Sequence, residues 1–249
     1  MNNGNPPVIA FHGVNRSFDG RDVLKDMSLE VAPGESLCLL GRSGMGKSVT
    51  LKLIIGLIKP DSGTICVDGL NIAELNEDGL SKVRSRIGFL FQGAALFDSM
   101  SLYENLALPL KRLRPETPGK EIAAIVQKNL EDVGLGKDGQ KMPMELSGGM
   151  RKRAGLARSL MLDPHILLID EPISGLDRVT ASEIDDLLLR VKDRDRPTML
   201  IVTHDTHEAR RVGDRIAVLD KGRLIEVGRI DDLAQSTNPL VRALVTREE

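Results

Sequence analysis

The segment Gly41-Arg42-Ser43-Gly44-Met45-Gly46-Lys47-Ser48 constrains the fold of this chain more than any other part of its sequence. It fits the pattern G-x-x-x-x-G-K-[ST] and lies between an apolar run at 36–40, typical of a strand, and a helical pattern at 47–58. Glycines let backbone N–H groups curve around phosphate oxygens, and the helix points its positive end at them. We therefore predict a phosphate-binding loop, in which Lys47 reaches the β- and γ-phosphates and the Ser48 hydroxyl binds Mg²⁺.

A second apolar run, residues 166–169, ends in two carboxylates, Asp170 and Glu171. A continuous apolar run indicates a strand buried in a parallel sheet. Alone, the two carboxylates would be an ordinary strand end. Together with a phosphate loop they predict that Asp170 holds the Mg²⁺, directly or through water. Glu171 is then expected to orient and deprotonate the attacking water.

The remaining pattern indicates an α/β fold. Short strands are predicted at 9–14 and 27–31, and the pattern is helical from 102 to 162 with an exposed loop at 114–119. A strand at 199–202 and helices at 180–192 and 205–212 then alternate as βαβ units, which predicts a mostly parallel sheet.

Composition limits the partners. The 34 basic and 36 acidic residues nearly cancel, so there is no electrostatic argument for nucleic acid. The clusters Arg151-Lys152-Arg153 and Arg210-Arg211 are interpreted as solvated helix faces. Cys38 and Cys66 lie in apolar runs and are interpreted as buried thiols in a reducing compartment.

No targeting or spanning segment is predicted. Residues 1–7 are polar and lack the apolar core of a signal peptide, and no run reaches the ~18 apolar residues of a membrane helix. If the protein works at a membrane, another subunit is expected to span it.

Further motifs follow in a fixed order and resemble those of the ABC ATPase family over nearly the whole chain. The segment 146–153, Leu-Ser-Gly-Gly-Met-Arg-Lys-Arg, is similar to the signature LSGGQ-x-x-R. Gln92, after a predicted strand at 87–91, resembles the Q-loop glutamine. The segment 174–177, Ser-Gly-Leu-Asp, resembles the D-loop, and His204 resembles the switch histidine.

The resemblance implies a P-loop NTPase fold with a RecA-like core, an N-terminal antiparallel β subdomain and an inserted α-helical subdomain. It implies one domain over residues 1–249, with the helical insertion at about 93–162 and a short helical tail at about 229–249. It also implies a head-to-tail homodimer, in which each ATP lies between the phosphate loop of one subunit and the signature loop of the other.

Carried over residue by residue, the resemblance implies that Glu171, His204 and Gln92 are catalytic. It implies that Mg²⁺ is bound by Ser48, Gln92 and Asp170. Phe18 stands where the family stacks an aromatic ring on adenine. The residues expected to bind ATP are Phe18, Gly41, Arg42, Ser43, Gly44, Met45, Gly46, Lys47, Ser48, Val49, Ser147, Gly148, Gly149, Met150 and Asp177. Adenine is favoured by resemblance only, since no Asn-Lys-x-Asp segment of the guanine-binding type is present.

The signature segment departs from the family pattern at one position. Small residues that open a helix, here Ser147, Gly148 and Gly149, offer N–H donors and a hydroxyl to a γ-phosphate. Met150 stands where glutamine is usual, and its thioether is a poor acceptor and no donor. Because the donors before it are intact, we expect hydrolysis to survive.

The segment 92–102, followed by Glu104-Asn105-Leu106 and Pro109-Leu110, is similar to the ATPases of Mla/Mce-type phospholipid transport systems. The segments 44–49 and 146–150, the second including Met150, resemble that subgroup too. The subgroup implies a permease, an Mce-domain subunit and, as an optional addition, a small STAS-type accessory protein. It implies a location at the cytoplasmic face of a bacterial inner membrane.

Three function classes are compared. The first is a phospholipid-transporter motor; the second is an ABC motor for another cargo, or a membrane signalling complex that moves no cargo. The third, a soluble ABC ATPase acting on DNA or ribosomes, is disfavoured by the neutral charge and the single ABC domain.

Two apolar segments, the one after Gln92 and the C-terminal tail, each have two interpretations. An apolar groove for a permease helix is expected at Leu96, Phe97, Met100 and Leu102, which are equally typical of a lobe core. The tail carries Leu240, Leu244 and Val245 in an amphipathic pattern. We expect it to pack on its own domain, with contact to a partner as the alternative.

Overall fold

The computed structural model describes residues 6–246, so Met1–Asn5 and the last three residues of the predicted tail, 247–249, lie outside the described part. The chain divides into two compact units, Met1–Arg84 with Asp195–Glu249, and Ser85–Arg194. Across residues 6–246, none of the helices has both the length and the apolar composition needed to cross a bilayer.

The elements run in the following order along the chain: β1 (Ile9–Phe18), β2 (Arg21–Val31), β3 (Ser36–Leu40), α1 (Lys47–Ile54), β4 (Ser62–Val67), β5 (Leu70–Asn71), α2 (Glu77–Arg84), β6 (Ile87–Leu90), α3 (Leu102–Leu113), α4 (Gly119–Asp132), α5 (Gly148–Ser159), β7 (Ile166–Asp170), α6 (Arg178–Asp195), β8 (Thr198–Thr203), α7 (Thr206–Val212), β9 (Arg215–Asp220), β10 (Arg223–Gly228), α8 (Ile230–Ala234) and α9 (Pro239–Thr246).

The first unit contains two sheets. One is antiparallel, in the order β2-β1-β4-β5, with Ile9 opposite Val31 on one side and opposite Val67 on the other. In the other, β3 lies between β8 and β9 and is parallel to both, while β10 pairs antiparallel with β9. Every residue of β3 and β8 is buried, as their continuous apolar runs predicted. The α/β fold with its antiparallel N-terminal sheet is therefore confirmed.

Helix α1 is shorter than the pattern at 47–58 predicted, because a glycine ends it. Gly56 has φ 63°, and its N–H bonds to the carbonyl of Leu53 while the N–H of Leu57 bonds to that of Lys52. These two bonds form a Schellman motif, which satisfies the last carbonyls of a helix. A Cβ on Gly56 would lie 2.7 Å from the Leu80 side chain, so the stop is also fixed by packing.

The second unit joins a parallel strand pair, β6 with β7, to the helices α3, α4 and α5. Apolar side chains of α3 and α4, among them Leu106, Leu110, Ile122 and Val126, are buried. The exposed loop predicted at 114–119 corresponds to the break between α3 and α4. Both cysteines are free thiols; Cys38 is buried as expected, whereas Cys66 is only half-buried.

The C-terminal tail packs on its own unit in the described residues. Val241 and Val245 of α9 are fully buried, and α9 contacts α7. The Thr206 hydroxyl donates to the Leu244 carbonyl over 2.8 Å, and the Arg210 guanidinium donates to the Val245 carbonyl over 3.1 Å. The expectation of self-packing is confirmed for α8 and α9.

Candidate active site

Two glycines of the phosphate loop, Gly41 and Gly46, are required because neighbouring backbone atoms approach them closely. A Cβ on Gly41 would lie 2.4 Å from the carbonyl oxygen of Leu219, which no side chain can tolerate. Gly46 has φ 102°, and a Cβ there would lie 2.7 Å from the Val23 carbonyl oxygen. Gly46 is also the N-cap residue of α1, so no cap side chain accepts from the first-turn N–H groups, which suits a helix start that binds an anion.

The Lys47 side chain folds back over the loop that precedes it. It is buried, and its ammonium donates to the carbonyls of Gly41 over 2.7 Å and of Arg42 over 3.1 Å. The exposed part of the loop is Arg42 to Gly44, while Ser48 and Val49 are half-buried. The Met45 sulfur accepts from the backbone N–H of Lys221. The Lys47 side chain thus connects the last part of the phosphate loop to its first two residues, and in this sense the loop is closed by Lys47.

The predicted switch histidine leaves the sheet beside the phosphate loop. Strands β3 and β8 are parallel with Leu40 opposite Thr203, and the Gly41 N–H donates to the Thr203 carbonyl over 3.3 Å. Residues that follow the carboxyl ends of neighbouring parallel strands share one edge of a sheet, where ligands of such sheets bind. His204 is exposed at that edge.

Phe18 ends β1, and the Arg16 guanidinium lies 4.4 Å from its ring centroid. Arg16 in turn pairs with Asp61 over 2.6 Å. The residue Phe18 is 37% exposed. A cation on one ring face is a favourable contact that orients the ring. No sequence pattern indicated a role for Arg16, because its partner Asp61 is distant along the chain.

Gln92 and the two carboxylates come from neighbouring parallel strands of the second unit. Leu90 of β6 lies opposite Ile169 of β7, and Gln92 follows β6 as Asp170 and Glu171 follow the apolar part of β7. Both carboxylates are buried, whereas Gln92 is exposed. Glu171 has φ 49°, a left-handed conformation that is uncommon outside glycine and concentrated at functional sites.

The donors predicted for Mg²⁺ fit that ion by their chemistry. Mg²⁺ prefers oxygen ligands and is usually held by one or two carboxylates together with substrate phosphates and water. The carboxylate of Asp170, the hydroxyl of Ser48 and the amide oxygen of Gln92 are all hard oxygen donors. Asp170 is buried at the strand end, where it cannot be fully hydrated.

The signature segment is a helix start. Ser147 is the N-cap of α5, and its hydroxyl oxygen accepts from the Met150 N–H over 3.2 Å. Gly148 is half-buried, and a Cβ on the buried Gly149 would lie 2.3 Å from the Thr180 side chain. Gly149 is thus needed for packing against α6 whatever it does for a nucleotide.

Asp177 caps α6. One of its carboxylate oxygens accepts from the N–H groups of Val179 and Thr180, both over 3.0 Å, and the other accepts from the Thr180 hydroxyl over 2.7 Å. Hydrogen bonds from Thr180 hold the pKa of Asp177 below its ordinary value, since they favour the charged form. Its contact with nucleotide stays a prediction.

Lys152 was expected on a solvated helix face, and this expectation is wrong. Its side chain is 6% exposed, and its ammonium donates to the backbone carbonyls of Gln92 and Glu171. The helical period places position 152 on the side of Gly155, Leu156 and Ser159, which are buried. That spacing was the available signal, and the charge of the neighbouring arginines obscured it.

The turn after Gln92 presents a large apolar side chain, that of Phe97, to the outside. The buried Asn105 amide accepts from the Phe97 N–H over 2.7 Å and donates to the carbonyls of Phe97, Met100 and Ser101. Phe97 is 50% exposed. For Leu102 the second of the two alternatives, a place in the lobe core, is confirmed: it is fully buried, because it begins α3 with its side chain inward.

Residues 24–174 match the family model described as "ABC transporter". The chain belongs to this family. It is an ABC ATPase, as its sequence predicted, and specifically an ATP-binding subunit of an ABC transporter.

Named relatives agree with this assignment. The chain is 44% identical over 235 residues to the probable ribonucleotide transport ATP-binding protein mkl of Mycobacterium leprae, covering 94% of this chain and 67% of the relative. It is 39% identical over 244 residues to the methionine import ATP-binding protein MetN of Ralstonia nicotianae, covering 96% of this chain and 69% of that relative. The chain thus spans about two thirds of the length of the curated relatives it matches.

The fold of this ABC ATPase is also found in a solved structure. The dimeric post-hydrolysis state of the ATP-binding cassette MJ0796, bound to ADP and Pi, superposes with a TM-score of 0.83 at 32% sequence identity. The match covers 89% of this chain and 98% of that chain, so the resemblance extends over the whole cassette.

Proposed function

We propose that this ABC ATPase works as a homodimer at the cytoplasmic face of a bacterial inner membrane, where it drives a permease that moves phospholipid. The observation that carries the ATPase part is the phosphate loop closed by Lys47, with His204 at the same edge of the sheet. ATP is the substrate. An Mce-domain subunit and a STAS-type accessory protein complete the proposed assembly.

The proposed reaction is hydrolysis of the terminal phosphoanhydride. A water molecule attacks the γ-phosphorus and forms a new P–O bond, while the bond to the bridging oxygen of ADP breaks. Glu171 orients this water and accepts its proton. Lys47 binds the β- and γ-phosphates, and His204 contacts the γ-phosphate. The positive charge of Lys47 and the hydrogen bonds of both residues stabilise the negative charge that develops on the phosphate oxygens in the transition state.

Mg²⁺, held by Ser48, Asp170 and Gln92, would supply neutralisation of phosphate charge. Phe18 stacks on adenine, and the Arg16 guanidinium on its ring holds the ring in place. Ser147, Gly148 and Gly149 offer their donors to the ATP of the partner subunit. Met150 and Asp177 lie in the same proposed interface.

The docking of a permease is proposed at the turn 97–101. Its support is the Asn105 amide, which holds this turn so that Phe97 is exposed. A buried amide with its donors and acceptor engaged makes a rigid turn, and a rigid exposed aromatic is a typical anchor of an interface. Leu96 and Met100, both half-buried, line the same turn.

The cargo assignment rests on sequence. Met150 in the signature and the segment 92–102 are similar to Mla/Mce-type ATPases. The names of the relatives, ribonucleotide transport and methionine import, favour a second candidate, which is the same motor with another cargo.

The test is to purify the Glu171→Gln variant from native membranes in mild detergent with ATP, and to identify its partners and lipids by mass spectrometry. Glu171→Gln is expected to bind ATP but to stall, which traps the closed dimer on its partners. Lys47→Ala, which loses productive ATP binding, is the matched control.

Recovery of a permease, an Mce-domain protein and phospholipid would support the proposal. A different membrane partner would discard the lipid assignment and keep the motor. Soluble partners only would overturn the transporter assignment, and ATP turnover by Glu171→Gln at the parental rate would show that Glu171 is not the base.

A further inference from the structure

Lys152 joins two chain segments that both carry proposed catalytic groups. Its ammonium donates to the carbonyl oxygen of Glu171 over 2.6 Å and also to the carbonyl oxygen of Gln92. Both acceptors are backbone atoms, so the contact fixes the main chain at these residues. The contact lies within the unit Ser85–Arg194.

Helix α5 can approach this closely because Gly155 lies between its two anchoring cations, Lys152 and Arg158. A Cβ on Gly155 would lie 2.8 Å from the Leu90 side chain and 2.9 Å from the Cβ of Ala94. One turn farther along, the Arg158 guanidinium donates to the carbonyls of Ala94 over 3.0 Å and of Ala95 over 2.7 Å. The segment after β6 is therefore tied to α5 at several carbonyls.

The conformation of Glu171 needs such an anchor. Its φ of 49° is unfavourable for a residue with a side chain and persists only where the surroundings fix it. Lys152 bonds to the carbonyl of this same residue. The bond therefore stabilises the left-handed backbone conformation of Glu171, which sets the direction of its side chain just after β7.

A purely structural role would be better filled by an apolar side chain. Burying an ammonium carries a desolvation penalty, and packed apolar residues of similar volume often give equal or greater stability than a buried charge. Three donors on a compact ammonium can, however, hold two carbonyls at once. The ammonium at position 152 is therefore suited to orienting the two backbone segments to which it donates.

We propose that Lys152 is a positioning residue for ATP hydrolysis. Its ammonium fixes the main chain of Glu171 relative to that of Gln92, so that the carboxylate and the Q-loop glutamine are held in one arrangement. Ser147 of the signature segment caps the N-terminus of the same helix, so a displacement of that end of α5 moves this anchor. The inference rests on the proposed role of Glu171 as the base.

The experiment compares Lys152→Met, which keeps the length but removes the donors, with Lys152→Arg, which keeps charge and donors. Lys128→Met is the control, because Lys128 is an exposed lysine of α4 in the same unit. For each full-length variant, kcat and KM are measured for ATP, together with the Kd of a non-hydrolysable ATP analogue and the melting temperature.

Lys152→Met is expected to lower kcat by about 10- to 100-fold, the effect of a small misplacement of a catalytic group. The Kd of the analogue is expected to stay within about twofold, and Lys152→Arg to restore most of kcat. Adding Lys152→Met to Glu171→Gln is expected to lower kcat by less than about twofold further, since groups that act as a unit are not additive.

Parental kcat in Lys152→Met would overturn the inference, and so would a parallel loss of kcat, analogue binding and melting temperature that Lys152→Arg does not rescue. If Glu171→Gln stalls while Lys152→Met is active, only the role of Lys152 fails. If Glu171→Gln itself hydrolyses ATP at the parental rate, the failure lies in the proposed base.

Discussion

The Lys47 ammonium lies 2.7 Å from the carbonyl oxygen of Gly41, the first residue of the phosphate loop. The loop is therefore closed by the side chain that is proposed to bind the β- and γ-phosphates. A charged group held in place before the ligand arrives loses less freedom on binding.

Lys47→Ala is expected to raise the Kd of ATP by about 10- to 100-fold, which is the range for losing a hydrogen bond to a charged group. The measurement is titration calorimetry with ATP and Mg²⁺. Lys52→Ala is the control, since Lys52 is an exposed lysine of the same helix. An unchanged Kd for Lys47→Ala would remove Lys47 from the proposed phosphate contacts.

Met150→Gln is expected to leave hydrolysis broadly intact. The contact of Met150 with the Ser147 hydroxyl uses its backbone N–H, which glutamine retains. We expect kcat to stay within about threefold, less than ~0.7 kcal/mol of activation free energy, in a steady-state ATPase assay. A collapse of kcat would mean that the subunit interface requires methionine at this position.

Thr206→Val is expected to destabilise the protein by about 1 kcal/mol, because the carbonyl of Leu244 loses its hydroxyl donor. The free energy of unfolding is measured in urea. Thr206→Ser keeps the donor and is expected to stay close to the parent. A loss in Thr206→Ser alone, with Thr206→Val close to the parent, would assign the effect to packing of the Thr206 methyl group, which valine retains.

Asp61→Asn is expected to lower the melting temperature in a pH-dependent manner. Hydrogen bonds from the Ser17 hydroxyl and N–H, and then the Arg16 guanidinium, hold the pKa of Asp61 below its ordinary value of 3.8. A carboxyl whose pKa is depressed by folding stabilises fully above its unfolded pKa, and this stabilisation is lost as the pH falls through the folded pKa.

The difference in melting temperature between parent and Asp61→Asn should therefore be constant above about pH 5 and shrink below about pH 4. The exposed Asp98, replaced by asparagine, is the control. A difference that grows on acidification would have the wrong sign for this cause.

Local sequence patterns predicted the strands β1, β2, β3, β6, β7 and β8 and most of the helices, but not β4, β5, β9 or β10. The apolar runs at 36–40, 166–169 and 199–202 became buried strands, and the glycine-rich segment joined β3 to α1 as the motif requires. Boundaries were less accurate. β1 and β2 are longer than their apolar stretches, because antiparallel pairing extends into polar residues such as Arg16 and Asp22.

The sequence by itself determined the chemistry of the phosphate loop, since glycines, a lysine and a helix start act over a few residues of backbone. Only the tertiary structure decided the partners of the isolated charges. Lys152 is buried against the carbonyls of Gln92 and Glu171, and Arg16 pairs with Asp61, because segments distant along the chain supply these acceptors. The free energy of burying a charge depends on those neighbours, which helical or strand periodicity along one segment does not specify.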